Sequence, residues 1–182
     1  VETIIKKCGE SFNVCLIDDT SFQKLLPNWK INLDRIGDPV KSHLELLALT
    51  KVLHRYGGFL VPNSTIVMKD LKPIHDSALK DKCCFAVEGL NRGNTAEYVD
   101  LFPMTTFMGC KQNSPVMKQF SQFLERKVSN DYTDEFSFLG EGNRWLYQAR
   151  LRNQLVLVDS KFFGIMDKKC ELVDVDRLMG TS

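Results

Sequence analysis

Long apolar runs are missing from this sequence. No stretch approaches the roughly 18 residues that a membrane-spanning helix requires, and no secretory leader is visible. An excess of either charge is missing too: 24 Lys and Arg stand against 23 Asp and Glu, a net charge of +1. Such a balance leaves no broad field to attract nucleic acid or an anionic membrane. Histidine is thin, with His43, His54 and His75 too scattered for a metal cluster. The six cysteines (Cys8, Cys15, Cys83, Cys84, Cys110 and Cys170) include no C-x-x-C pair and no regular spacing. Four of them lie in apolar runs, as small hydrophobes do. Buried reduced thiols are therefore expected in preference to a disulfide frame or a zinc site. Internal repeats, low-complexity segments and linkers are absent as well, which excludes a solenoid and leaves nothing to divide the chain.

What is present is enough for one packed domain: 182 residues, 43% of them apolar, 26% charged. The stretch that organises the rest is Ser42 to Met68. Leu44, Leu47, Val52, Leu53 and Tyr56 recur at helical spacing, and Leu46 and Leu49 widen the stripe, so a well-buried helix is expected over 43–56. Gly57 stands where a helix C-cap takes a left-handed residue, and Gly58 lets the backbone leave sharply. Phe59-Leu60-Val61 reads as a short central strand, ended by Pro62 and the turn formers Asn63-Ser64. Ligands of α/β folds sit at the carboxyl ends of strands, so Pro62-Asn63-Ser64 occupies a position where chemistry is expected.

Around this centre, acids recur at the ends of apolar runs. Residues 1–8 place Val1, Ile4, Ile5 and Cys8 on one helical face. With no initiator Met and no N-cap, the chain reads as beginning inside an element, with an N-terminal piece expected ahead of it. Phe12 to Ile17 is a β-leaning run ending in Asp18-Asp19, a pair suited to a ribose or a metal and equally to capping a helix at 21–26. Residues 28–40 read as loop. Ile74 to Leu79 reads as a short helix or turn. Cys83 to Val87 is a second strand, ending in Glu88. The loop 89–98 carries Asn91, Arg92 and Asn94, which suit a phosphate or sugar, or simply a solvated connection. Thr105 to Cys110 is a further strand, and Ser114-Pro115 opens a helix to about Val128 with an apolar inner stripe. Residues 129–142 read as a polar loop whose acids match no calcium-loop spacing. A helix over 143–151, a strand over 155–158 ending in Asp159, and an edge element over 173–175 complete the order. Strands alternating with helices argue for a single α/β domain.

The helix, Tyr56-Gly57-Gly58, the strand 59–61 and the polar turn together resemble the core of glycosyltransferases with a DXD motif. These are the mannosyltransferase and capsular-polysaccharide-synthesis groups, whose segment reads approximately S-D-L-L-R-x-x-x-L-x-x-Y-G-G-x-Y-x-D-x-D. Leu53, Tyr56, Gly57 and Gly58 match, and the resemblance spans roughly residues 10–130. The stretch FLGEGNRWLY (138–147) is also similar to relatives without the DXD that large DNA viruses of protists and algae encode. The resemblance implies a GT-A-like α/β domain with a mainly parallel central sheet flanked by helices. It implies a nucleotide-sugar donor, a glycan or protein acceptor, and Mn²⁺ or Mg²⁺ to neutralise the diphosphate leaving group. A reducing compartment (cytoplasm or virus factory) or a virion fits the thiols better than secretion.

The departures bear on chemistry. Pro62 and Ser64 stand where the two aspartates belong, with Asn63 between them, and Leu46 and Leu49 replace the helix Asp and Arg. Four charged groups are lost from one site. If transfer survives, Asp18 and Asp19 are expected to hold ribose or metal, and Gly57, Gly58, Asn63 and Ser64 to line the sugar. Arg92 would then neutralise phosphate, and Glu88 or Glu141 act as base. The alternative is a catalytically inactive GT-A-like module, a pseudoenzyme or virion-associated protein with an oligomer interface elsewhere. A third reading is an unrelated α/β domain with an accidental Tyr-Gly-Gly turn.

Overall fold

The computed structural model describes residues 1–91, 100–130, 135–167, 169, 171–173 and 180. In chain order come α1 (Glu2–Cys8), α2 (Ser21–Leu25), a 3-10 turn (Leu33–Arg35), α3 (Val40–Tyr56) and β1 (Gly58–Leu60). There follow α4 (Lys72–Ala78), β2 (Cys84–Leu90), β3 (Leu101–Cys110), α5 (Pro115–Asn130), α6 (Glu135–Leu151), β4 (Val156–Val158) and a 3-10 turn (Ser160–Phe163). The class is α/β, with strands in the order β1-β3-β2-β4.

The expectation of a mainly parallel sheet needs correction. Only β2 with β4 is parallel, whereas β3 pairs antiparallel with both β1 and β2. The reason is topological: β3 returns beside β2 and is then flanked by β1, so it runs against both. β1, β2 and β4 nevertheless share one direction.

Period-two alternation along β2 divides the core between the two faces of the sheet. Cys84 and Ala86 point into the larger cluster, with Leu46, Leu47 and Leu53 of α3, Met117, Phe120 and Leu124 of α5, and Leu146 of α6. Phe85 and Val87 point the other way, toward Ala78, Leu79 and Val158. A strand buried on both faces reads as a continuous apolar run, as Cys-Cys-Phe-Ala-Val does. α3 buries His43, Leu44, Leu46, Leu47, Ala48, Thr50, Val52 and Leu53, as the wide stripe predicts, but Leu49 is only half-buried and Tyr56, expected in the stripe, is exposed and donates its hydroxyl to Leu25 O.

The Gly-Gly turn works differently from a left-handed cap. Gly57 adopts φ 72° and ψ −166°, a region open in practice to glycine alone, while its N–H still bonds Leu53 O. A Cβ there would stand 2.7 Å from Gln112 N and 3.0 Å from Cys110 O. The first glycine is therefore required by the close approach of the chain leaving β3.

Two further expectations are corrected. Phe12 to Ile17 is not a strand, and Asn13 to Leu16 are exposed. Phe12 packs with Val61 in the cluster on the α1 side, whereas Ile17 packs into the α3 side. The run thus passes from one face to the other instead of lying in the sheet. Residues 135–142, expected as loop, form the first turns of α6. Burial overrides local polarity there: Phe138 is buried and stacks on His43 at 3.9 Å. Near the end, Met166 bridges Leu172 and Val173 N donates to Ile165 O, while 174–175 lie outside the described residues.

Candidate functional site

Because β1, β2 and β4 run one way, their carboxyl ends meet at one edge of the sheet, where open α/β sheets hold ligands. From β1 comes the turn Pro62–Thr65, closed by Thr65 N donating to Pro62 O at 3.0 Å. Asn63 and Ser64 are exposed on it. From β2 comes Glu88. From β4 come Asp159, Ser160 and Lys161.

β3 makes this edge uneven. Ala86 pairs with Met108, but the next residue, Val87, pairs with Met104, so Thr105, Thr106 and Phe107 have no partner on β2. Pairing with β1 also stops at Leu60↔Met108. The bulge therefore stands between the polar turn and the end of β2, re-aiming side chains as bulges near sites do. Asn143 of α6 holds it: Thr105 N donates to Asn143 Oδ1 at 3.1 Å. Phe107 leans onto the rings of Phe59 and Phe163 (centroids 6.2 and 5.1 Å), while Thr106 is exposed. Pro103 faces Glu88 at a level that β1 does not reach, so its missing N–H removes nothing from that side of the ladder.

The Glu88 carboxylate accepts from Ser160 N at 3.3 Å. Ser160 is fully buried, and its hydroxyl has no hydrogen-bond partner among the described residues. Asp159 accepts from Lys161 N (2.9 Å) and pairs with Lys161 Nζ (2.8 Å). That lysine and the backbone N–H hold the Asp159 carboxyl below the usual carboxylate range.

The other acids singled out in the sequence have partners of their own. Asp18 accepts from the hydroxyls and backbone N–H groups of Thr20 and Ser21. The hydroxyls of Ser21 and Thr20 lead in bringing its carboxyl down to about 2. These bonds turn the chain into α2, whose first residue is Ser21. Asp19 pairs with Lys41 at 2.7 Å, beside Glu45. Burial and the Asp19 charge raise the Glu45 carboxyl. Gly57 and Gly58 lie at the amino end of β1, the opposite end from Asn63 and Ser64. Glu141 lies on the helical layer, bonded to Arg144 (3.0 Å) and Lys127 (3.4 Å). Arg92 lies outside the described residues. The strand ends thus bring Asn63, Ser64 and Glu88 to one edge, while Asp19 is held against the first turn of α3 by Lys41 and Glu141 lies between α5 and α6. The bulge, Ser160 and Lys161 were not singled out. Lys161 follows an acid already noted at a strand end, but Thr-Thr-Phe carries no glycine to announce a bulge.

A hard dication needs several anionic oxygens around it. The turn 62–64 supplies no carboxylate, Asp159 is held by Lys161, and no group of three His, Cys, Asp or Glu among the described residues is placed to hold a metal ion. The described residues do not fit the ion that the DXD resemblance implies. Among the described residues no helix is long and apolar enough to cross a membrane. Set against known proteins, the chain matches no family model, no curated protein and no solved structure.

Proposed function

We propose that this chain is a glycosyltransferase-like protein that binds a nucleotide-sugar donor at the carboxyl edge of its sheet without a DXD metal site. The observation that supports it most is the Tyr56-Gly57-Gly58 turn feeding a strand whose polar end shares an edge with Glu88 and Lys161. In this reading Asn63 and Ser64 bond sugar hydroxyls. Lys161, released from Asp159, and Arg92 take the charge of the diphosphate, the part a metal plays in the DXD enzymes. Transfer breaks the bond from the anomeric carbon to the diphosphate oxygen and forms one to an acceptor hydroxyl. The proton of that hydroxyl passes to Glu88, while the nucleoside diphosphate leaves.

The alternative, a donor-binding or structural module without transfer, draws on α3. Leu46, where the resemblance puts an Asp, is buried in the core, and Leu49, where it puts an Arg, packs against it. Isothermal titration with uridine and guanosine diphosphate sugars, with and without Mn²⁺, tests the proposal. Binding that needs no Mn²⁺ and weakens at least tenfold in Lys161→Ala is the expected result. No heat with any donor would sink it. Donor turnover abolished by Glu88→Gln with binding retained would separate transfer from binding alone.

A further inference from the structure

The outer face of the α5–α6 layer carries features that the strand-end site does not use. Phe123 of α5 and Trp145 and Ala149 of α6 floor a recess of about 210 Å³, rimmed by Arg144, Gln148 and Arg152. Phe123 also lines a second depression, of about 480 Å³, with Arg126, Lys127 and Asn130. Four cations therefore surround one aromatic floor. The single acid among these residues, Glu141, is already bonded to Lys127 and Arg144. Among the described residues the rim therefore carries four cations against one acid, around an apolar recess.

From this juxtaposition we infer that the α5–α6 face docks an acidic segment of a partner protein, one apolar side chain seated between Phe123 and Trp145. Nucleic acid is disfavoured because the recess, about 210 Å³, takes one side chain, its two rings are already stacked on each other and on Phe120, and the chain as a whole carries a net charge of only +1. An apolar floor of this size suits one aliphatic or aromatic side chain. A membrane is disfavoured because the apolar surface is recessed beneath the cations and does not project above them. The spacing fits a peptide. Arg144 and Arg152 are eight residues apart, Arg152 directly following α6 with its N–H still donating to Gln148 O, so they stand roughly 12 Å apart at the helical rise. An extended peptide covers about 13 Å in four residues, so two acids flanking an apolar residue at second-neighbour positions reach both arginines. This inference does not rest on the sugar-donor reading, since it uses a different face of the molecule.

The test is fluorescence anisotropy of the full chain with a labelled nonapeptide, a glutamate two positions either side of a central leucine in a glycine-serine background. Saturable binding is expected, weakening at least tenfold in Arg144→Glu/Arg152→Glu and at least fivefold when the leucine becomes glycine. It should also fall as salt rises from 50 to about 300 mM, as screened charge requires. Both arginines are exposed, so the variant's thermal unfolding should match the parent and exclude misfolding. Three outcomes would overturn the inference: no saturable binding, indifference to the central leucine, or tighter binding of an oligothymidylate or phosphatidylserine vesicle that depends on the same arginines.

Discussion

Replacing Asn143 by alanine tests the account of the β3 bulge most directly. Thr105 is 2% exposed, so its N–H cannot turn to water, and the register shift removes a partner on β2. Its bond is the one to Asn143 Oδ1 at 3.1 Å. A buried amide stripped of its acceptor costs about 1–3 kcal/mol, so a value near 2 is expected for Asn143→Ala. In a domain of this size each kcal/mol lowers Tm by roughly 2–4 °C, which predicts a fall of roughly 4–8 °C. Asn143→Asp keeps an acceptor at the same reach and should recover more than half of that loss. Differential scanning calorimetry on the three proteins decides the matter. A Tm for Asn143→Ala within about 1 °C of the parent would refute the claim that this side chain holds the bulge, as would an equal loss in both variants.

The two glycines before β1 should separate cleanly in urea melts. Gly57→Ala must place a Cβ 2.7 Å from Gln112 N at φ 72°, whereas a Cβ on Gly58 meets nothing within 4 Å at φ 107°. Strain alone costs about 1–3 kcal/mol at either site, and overpacking adds about 1–3 more at Gly57 only, so equal losses would contradict the packing argument. Acid titration probes the surface carboxylates. Asp18, at about 2, and Asp70, Asp76 and Asp159 all lie below the ordinary 3.8 in the folded chain. The unfolded chain therefore takes up protons first as pH falls, so their stabilisation is complete above about pH 5 and is lost from about pH 4 toward 2. Glu45, raised above its ordinary 4.5, acts in the opposite sense and blunts the slope. A Tm that stays level between pH 4 and 2 would show that these bonds do not operate in solution.

Much of the scaffold was legible because its signals are local. Helical spacing from Leu44 to Tyr56 announced α3, Ser114-Pro115 announced the start of α5, and Cys-Cys-Phe-Ala-Val announced the central strand. Other elements had local signals that misled. Phe12 to Ile17 has the composition of a strand, yet the chain spends it crossing between faces. Residues 135–142 have the polarity of a loop, yet a helix forms there above Thr105 and His43. No periodicity encodes which neighbour a segment will meet, and in both cases the neighbour decided.

The site divides in the same way. By itself the sequence determined an α/β domain, a buried central helix, a glycine turn, and a polar turn of Pro62, Asn63 and Ser64 without carboxylates. Those depend on residue identity and on spacing within one element. Only the tertiary structure decided that β3 runs backwards through the sheet, and that β1, β2 and β4 bring their ends together. It also decided that a bulge lies between Asn63 and Glu88, that Asp18 bonds the start of α2, and that Asp19 pairs with Lys41. The physical reason is that strand order and register are set by which apolar faces can be buried together across the whole chain. A residue's chemistry is known from its name, but whether it is free to act depends on what folding places beside it.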